Sequence, residues 1–462
     1  MSAMSTTDSS MRNVDIVVIG GGPAGVEAAC EAARSRVSVV LVSEEAIGGR
    51  SIHSSLIPSK VLIHLAHQRA SIGKSIETPS ISRSIQAVVQ AESRRLTSRL
   101  EDARVSVIRG RAFFTAPDLL RVDGPSPCIL RFERAIIATG SLPVFPPSLF
   151  GPMERPDGVH IRAPRVIPSW ESVPHSLVVI GGGVTGAETA SAFADLGIKV
   201  RWIVGEAGIL PRFDRDLVEV LRRSLHRRGV EIIENENAVE IGCHPDRQGD
   251  KVEVKLANGE RILGEKAFVA IGRVPDTKNL GLENAHIERH PNGAIVVDDQ
   301  CRSSNPRIFA VGDAAGPPFT ANKAMAEAWV AARAATGRPH QPLRRSSLIE
   351  AVYSRPEIAQ VGLTPRQAFA KGIDFEVRRN PLQLSPRQLI EHLGEVTSIE
   401  GEVAIVVDHQ GQILGATAVG ERAADILAPI ATGIHLGAHL KDLESLFLAE
   451  PTLSAFAFAL LR

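Results

Sequence analysis

The sequence is short of aromatic residues: they make up 4% of 462 residues, and Tyr353 is the single tyrosine. A chain this poor in rings does not build base-stacking platforms for single-stranded nucleic acid. It has four cysteines, Cys30, Cys128, Cys243 and Cys301, no two of them close in sequence. That spacing excludes a zinc knuckle and a short-range redox pair, and the density is too low for a secreted disulfide framework; no metal site is expected. Net charge is also missing: 52 Lys plus Arg balance 52 Asp plus Glu. No global field therefore recruits nucleic acid or an anionic membrane. No apolar run approaches the length of a membrane span. Residues 1–12 are rich in Ser and Thr and have no basic segment followed by an apolar core. They read as a disordered tail and not as a signal peptide, and the expected location is the cytoplasm.

What is present is a globular composition with 44% hydrophobic and 23% charged residues, enough for about three domains. The β-branched run Asp15-Ile16-Val17-Val18-Ile19 reads as a buried parallel strand. Gly20-Gly21-Gly22-Pro23-Ala24-Gly25 follows it, then an Ala-rich helical stretch over 26–34 and a second apolar run over 37–42. This is a βαβ unit in which Gly20, Gly22 and Gly25 serve a tight turn, close approach of a pyrophosphate and helix–strand packing. The helix N-terminus offers free N–H groups and a positive dipole to phosphate. The pattern recurs in Leu177-Val178-Val179-Ile180, then Gly181, Gly183 and Gly186, an Ala-rich helix and a strand over 200–204. One such motif is weak; two in the same strand–turn–helix context point to two dinucleotide sites.

Three further strand ends carry small residues: Ala138-Thr139-Gly140, Gly272-Arg273 and Gly312-Asp313, the last preceding a helix predicted over 321–335. Pro-rich stretches near 142–152 and 338–343 read as linkers. After 345 the pattern changes to alternating strands, including 403–407 and 413–419, and then helices, as in an α+β domain.

Together these residues resemble the FAD-dependent pyridine nucleotide–disulfide oxidoreductases, the family of dihydrolipoamide dehydrogenase, glutathione reductase, mercuric reductase and the soluble pyridine nucleotide transhydrogenase. The resemblance runs from about Asp15 to Pro451 and includes Ile57-Pro58-Ser59-Lys60 and Glu450-Pro451-Thr452-Leu453-Ser454. It implies an α/β fold with two Rossmann-like dinucleotide-binding domains, for FAD and NAD(P)H, and a C-terminal α+β dimerisation domain. The corresponding division is FAD domain 13–150, NAD(P) domain 151–273, a second part of the FAD domain 274–343, and dimerisation domain 344–462. It also implies a homodimer whose C-terminal segment completes the partner's site. By the same resemblance Asp313 holds the flavin ribitol, the helix start at Ala321 approaches the ring, and Gly49 lies in the segment before the cofactor-passing helix. Lys60 sits near the flavin N5 edge, paired with Glu188. A cation there stabilises the anionic reduced flavin, and a carboxylate limits the cost of desolvating the lysine.

The departures are sharper than the matches. The family's disulfide motif has the form GGxCxxxxCIPSK, and here the segment runs Gly48-Gly49-Arg50-Ser51-Ile52-His53-Ser54-Ser55-Leu56-Ile57-Pro58-Ser59-Lys60. Ser51 and Leu56 fill both cysteine positions, and neither forms a thiolate. The family's C-terminal His and Glu are replaced by Glu450 and Ala455, which cannot supply an imidazole base. The expectation is that the chain does not turn over disulfides by the family mechanism. The soluble transhydrogenase branch also departs from the cysteine pair and has a histidine inside the motif. His53 matches that place, as a proton donor near the flavin or as a structural histidine.

An acidic residue at the end of the second strand of a Rossmann unit holds the ribose hydroxyls. The positions are Ser43 and Glu44 in the first unit, and Val204 and Glu206 in the second. An NADP site wants arginines around the 2′-phosphate, for which only Arg212 and Arg201 are near, so the preference leans to NADH. Two functions stay open. One is an NAD(P)H-dependent flavoenzyme handing electrons directly to a second nicotinamide, a quinone or dye, or a specialised small molecule. The other is a non-catalytic FAD-binding subunit.

Overall fold

The structure, a computed structural model, describes residues 11–72, 78–150, 161–162, 173–244 and 251–461. The chain divides into two compact units: Met1–Pro58 with Arg83–Val144 and Arg273–Leu343, and Ser59–Ser82 with Phe145–Gly272 and Arg344–Arg462.

The first unit is built on one sheet in the order Ser106–Arg109, Val39–Ser43, Met11–Ile19, Cys128–Ile137, Leu119–Asp123, Arg111–Ala116, with Ile308–Ala310 also paired to Cys128–Ile137. The strands around Met11–Ile19 are parallel and the outer hairpin antiparallel. Both faces of the central strands are covered, which is why they read as continuous apolar runs. One face packs Val17, Ile19, Phe114 and Phe132; the other packs Val18, Leu41 and Ile136 against Ala28 and Ala29 of the helix Pro23–Ala33 and Ala328 and Ala331 of the helix Ala321–Thr336. Alanine on both helices lets them approach the sheet and each other closely.

Among the described residues the second unit holds a parallel sheet of Rossmann-like character, an antiparallel sheet of α+β character and a small antiparallel sheet, Ala238–His244, Lys251–Leu256 and Arg261–Gly264. Its parallel sheet runs Glu231–Glu234, Lys199–Val204, Ser176–Ile180, Lys266–Val269, Ile161–Arg162. The helix Val184–Asp195 follows Ser176–Ile180. The antiparallel sheet runs Glu350–Val352, Glu357–Gly362, Ile413–Gly420, Glu402–Asp408, Phe375–Pro381 and is covered by the helix Ala423–Leu436. Among the described residues, no helix is long and apolar enough to cross a membrane.

Two sequence expectations are corrected. Met11 and Arg12, read as tail, pair with Ile129 and Leu130 in the first strand, and residues 1–10 lie outside the described residues. The Pro-rich stretch near 142–152 is not simply a linker: Ser141–Pro143 pairs with Arg273–Pro275, and 151–152 lie outside the described residues. By internal contacts the described residues among 59–82 and 145–150 group with the second unit, as do the described residues up to Gly272 and from Arg344.

Candidate dinucleotide sites and the lysine–glutamate pair

The two glycine motifs repeat one geometry. Gly20 (φ +112°) and Gly181 (φ +117°) occupy backbone conformations that favour glycine. A Cβ at either would collide with a carbonyl oxygen, that of Ala138 or Ala270. Gly25 and Gly186 bring their helices against the preceding turns, where a Cβ would strike the carbonyl oxygens of Gly20 and Gly181. Gly22 and Gly183 differ: each caps its helix with extended backbone, and a Cβ there would meet nothing within 4 Å. The cradle is thus packed tight behind and open in front of a helix N-terminus, the shape a diphosphate requires. Thr139 adds a second sign of fit in the first unit. Its Oγ1 is buried with no hydrogen-bond partner, as for a hydroxyl reserved for a ligand.

Around Thr139 and Gly140 the chain gathers its polar groups. Ser141 Oγ donates to Asp313 Oδ2 (2.5 Å) and accepts from Arg273 Nε (2.7 Å), and Arg273 also donates to the Ser141 carbonyl (2.9 Å). This network holds Asp313 in the Gly312–Ala315 turn. The turn is braced from below by Lys323, which is 1% exposed. Its Nζ donates to the carbonyls of Gly312 (3.0 Å) and Gly316 (2.6 Å) and pairs with Glu327 (3.0 Å), and the Gly312 N–H donates to Glu327. Lys323 therefore serves the backbone of the turn, two residues after Ala321 at the helix start.

The segment Gly48–Lys60 begins with the short helix Gly49–Ser54, and Gly49 lies against Gly22, where its Cβ would meet the Gly22 nitrogen at 3.2 Å. The hydroxyls of Ser54 and Ser55 both donate to the Arg50 carbonyl (3.1 Å each) where this helix stops. A second helix, Leu56–Ile72, starts at once. His53 Nε2 donates to the Ile47 carbonyl (2.9 Å), which also accepts from Ser93 (2.7 Å). The imidazole lines a cavity of about 660 Å³ with Gln86, Gln90, Ser93 and Thr97 of the helix Thr78–Asp102.

Sequence reading placed Arg50 with Ser51, His53 and Leu56 at the acceptor pocket but did not find its partners. Its guanidinium donates to Asp276 Oδ2 (2.6 Å) and to the Thr139 carbonyl (2.5 Å), and lies 3.9 Å from Glu45. Only its position next to the glycine pair hinted at this, because Asp276 is 226 residues away.

In the second unit, Lys60 Nζ donates to both carboxylate oxygens of Glu188, at 2.8 and 2.7 Å. Glu188 is nearly buried on the helix Val184–Asp195. It also accepts the Tyr353 N–H (3.0 Å), and the Tyr353 ring lies 4.8 Å from Lys60 Nζ, within cation–π range. The single tyrosine thus touches both charges. Burial pushes its hydroxyl pKa up, and Glu357, Glu188 and Asp425 add to the rise.

The ribose-side expectations divide. Ser43 is buried and donates to the Glu45 carbonyl (2.8 Å), so its hydroxyl is already committed, whereas Glu44 is exposed at the strand end. Val204 is fully buried and its side chain is closed to a ribose; Glu206 is exposed two residues on. Arg212 pairs with Glu350 (2.8 Å), and Arg201 with Glu231 (2.9 Å) and the Leu263 carbonyl. Gly272 (φ +133°) is exposed.

Two glycine-turn cradles, each between a parallel strand and the helix that follows it, define a protein built to hold two dinucleotides. The family description "Pyridine nucleotide-disulphide oxidoreductase" matches residues 14–333, and that family's dimerisation domain matches residues 349–459. The chain belongs to this family and is an NAD(P)H-dependent, FAD-dependent flavoprotein oxidoreductase with an α/β fold and a C-terminal dimerisation domain. It is 34% identical over 459 residues to dihydrolipoyl dehydrogenase 2 of Haloarcula marismortui, covering 95% of this chain and 94% of that one. The fold matches LpdA of Mycobacterium tuberculosis with a TM-score of 0.89 at 28% identity, covering 97% and 99% of the two chains. It also matches the HOCl-induced flavoprotein disulfide reductase RclA of Escherichia coli with a TM-score of 0.85 at 26% identity, again covering 97% and 99%.

Proposed function

We propose that this flavoprotein takes electrons from NADH and passes them directly to a non-disulfide acceptor: a second nicotinamide, a quinone or dye, or a specialised small molecule. The observation that carries the reading is the occupancy of residues 51 and 56 by Ser51 and Leu56. These are the positions that hold the family's working sulfurs by resemblance, and neither side chain can accept electrons or form a disulfide. The described thiols offer no substitute, since all four are unbridged and burial pushes the Cys30 and Cys128 pKa values up, away from thiolate. Glu450 and Ala455 stand where an imidazole and its carboxylate partner are expected, so no base for a dithiol is present there.

FAD, when bound, supplies the two-electron chemistry that joins a nicotinamide to the acceptor. The chain's own residues bind and orient. Gly20, Gly22, Gly25 and the helix they open receive the FAD diphosphate, with Gly49, Ala138, Thr139, Gly140, Arg273, Asp313 and Ala321 along the rest of the cofactor and Glu44 at its ribose. Gly181, Gly183 and Gly186 receive the nicotinamide dinucleotide, with Glu206 at its ribose and Gly272 nearby. Commitment of Arg201 and Arg212 to carboxylates, and the negative charge of Glu206, favour NADH over NADPH. Lys60 is assigned as the cation at the cofactor's N5 edge, held by Glu188. The Nε2 contact with the Ile47 carbonyl favours the structural reading of His53 over the proton donor.

We assign the FAD portion to 13–150 and 274–343 and the nicotinamide portion to 151–273. A homodimer is supported by the dimerisation domain, 349–459. A cytoplasmic setting is supported by four unbridged cysteines. The names of the relatives favour the competing reading, a dihydrolipoyl dehydrogenase. The test is turnover of the FAD-loaded protein. Dihydrolipoamide with NAD is expected to give none, while NADH bleaches the flavin anaerobically and does so faster than NADPH; added acceptors then restore its colour. Robust dihydrolipoamide turnover would overturn the proposal, and a flavin that neither nicotinamide bleaches would mark a non-catalytic subunit.

A further inference from the structure

We infer that Arg50 is a positioning residue for FAD: a guanidinium latch that closes the wall of the first dinucleotide cradle and sets how tightly the cofactor is held. The inference rests on the proposed assignment of that cradle to FAD. Arg50 joins three segments distant in sequence. Its own segment begins at Gly49, which abuts the open Gly22 at the helix N-terminus. Its NH2 group donates to the carbonyl of Thr139, whose hydroxyl is buried without a partner, and its NH1 group donates to Asp276. The N–H of Asp276 in turn donates to the Gly140 carbonyl (2.9 Å), so the same turn is gripped from two sides. The guanidinium is 19% exposed and the Asp276 carboxylate 34%. The bond is therefore charge-assisted and partly shielded from water, the regime in which a planar fork does more than a point charge.

Without the latch, Gly49–Arg50, Thr139–Gly140 and Asp276 lose their common tie, and the cofactor must order them when it binds. The same turn continues into Ser141 and its bonds to Asp313 and Arg273, so loosening Thr139–Gly140 also loosens that network. Lysine keeps the charge but cannot hold two planar acceptors at once.

The experiment measures the FAD dissociation constant of the apoprotein by flavin fluorescence quenching, with the apoprotein melting temperature recorded beside it. The proteins are the natural chain, R50Q, R50K, D276N and R50Q/D276N. R50Q is expected to weaken FAD at least tenfold, R50K less than R50Q, and D276N by an amount near that of R50Q. The double variant is expected to be no weaker than the worse single one, because both break the same latch. D276N, the milder change, carries the test should R50Q fail to fold. FAD affinity of R50Q within twofold of the natural chain, or losses that sum in the double variant, would overturn the inference. Failure of the natural chain to bind FAD would instead sink the assignment of the cradle.

Discussion

Removing both partners of the Lys60–Glu188 pair is expected to cost less than the sum of removing each alone. Two unit charges about 4 Å apart attract by about 4 kcal/mol at an effective dielectric constant near 20. Desolvating the carboxylate and ordering the lysine offset part of this, and solvent screening removes more, since the lysine side chain is 27% exposed. K60M strands a carboxylate that is 7% exposed, with the Tyr353 N–H as its remaining partner described here. It is expected to destabilise by about 2–3 kcal/mol. E188Q leaves an ammonium that can turn to water and a carbonyl that still accepts the Tyr353 N–H, for about 1–2 kcal/mol. In K60M/E188Q no charge is stranded, so the double variant should lose about 1.5 kcal/mol less than the sum. The assay is urea unfolding of the apoprotein in a W170F/W329F background. The remaining fluorophore, Trp202, is fully buried in the same unit as the pair. Single-variant losses that add within about 0.5 kcal/mol in the double variant would show that the pair does not interact, and would refute the reasoning.

The two kinds of glycine should separate in one pair of variants. G22A points a methyl into open space and is expected to fold normally yet bind FAD at least tenfold more weakly, whereas G25A drives a Cβ into the Gly20 carbonyl and is expected to lose the folded unit. Circular dichroism and FAD titration check this, and G22A binding FAD as the natural chain does would contradict the cradle assignment. Burial, reinforced by Asp425 and Glu421 against the Ala423 N–H and Arg422, pushes the Glu357 pKa up to about 7. A carboxyl raised in the folded state binds more protons there than when unfolded, so its contribution is full below about pH 4.5 and falls as pH rises through 7, by up to about 3 kcal/mol. E357Q should therefore raise the melting temperature at pH 8 relative to the natural chain and change it little at pH 4.5; equal effects at both would contradict the assignment. The ring of Tyr353 should hold Lys60, so Y353L is expected to raise the reactivity of Lys60 toward reductive methylation and Y353F is not; equal labelling of all three proteins would remove the tyrosine from the pair.

The parts of the site legible in the sequence are those set by short-range backbone geometry. The two glycine motifs were readable because the turn, the helix start and the packing contact all fall within six residues. The Lys60–Glu188 pairing was readable only through resemblance, since 128 residues separate the two. What escaped reading was created by tertiary contact. Arg50 found Asp276 across 226 residues, Tyr353 came under Lys60 from the second unit's antiparallel sheet region, and His53 turned to the Ile47 carbonyl. Ser43 and Val204 sat at the right strand ends, but burial closed them to a ribose. The first strand began at Met11 because Met11 and Arg12 pair with Ile129 and Leu130, a partner that local composition does not reveal.

The central claim, a flavin working without a thiol relay, is tested most directly by counting electrons. Anaerobic reductive titration of the FAD-loaded protein should reach completion at two electrons per FAD, because Ser51 and Leu56 store none. Uptake of four electrons per FAD would reveal a second redox centre beside the flavin and contradict the account.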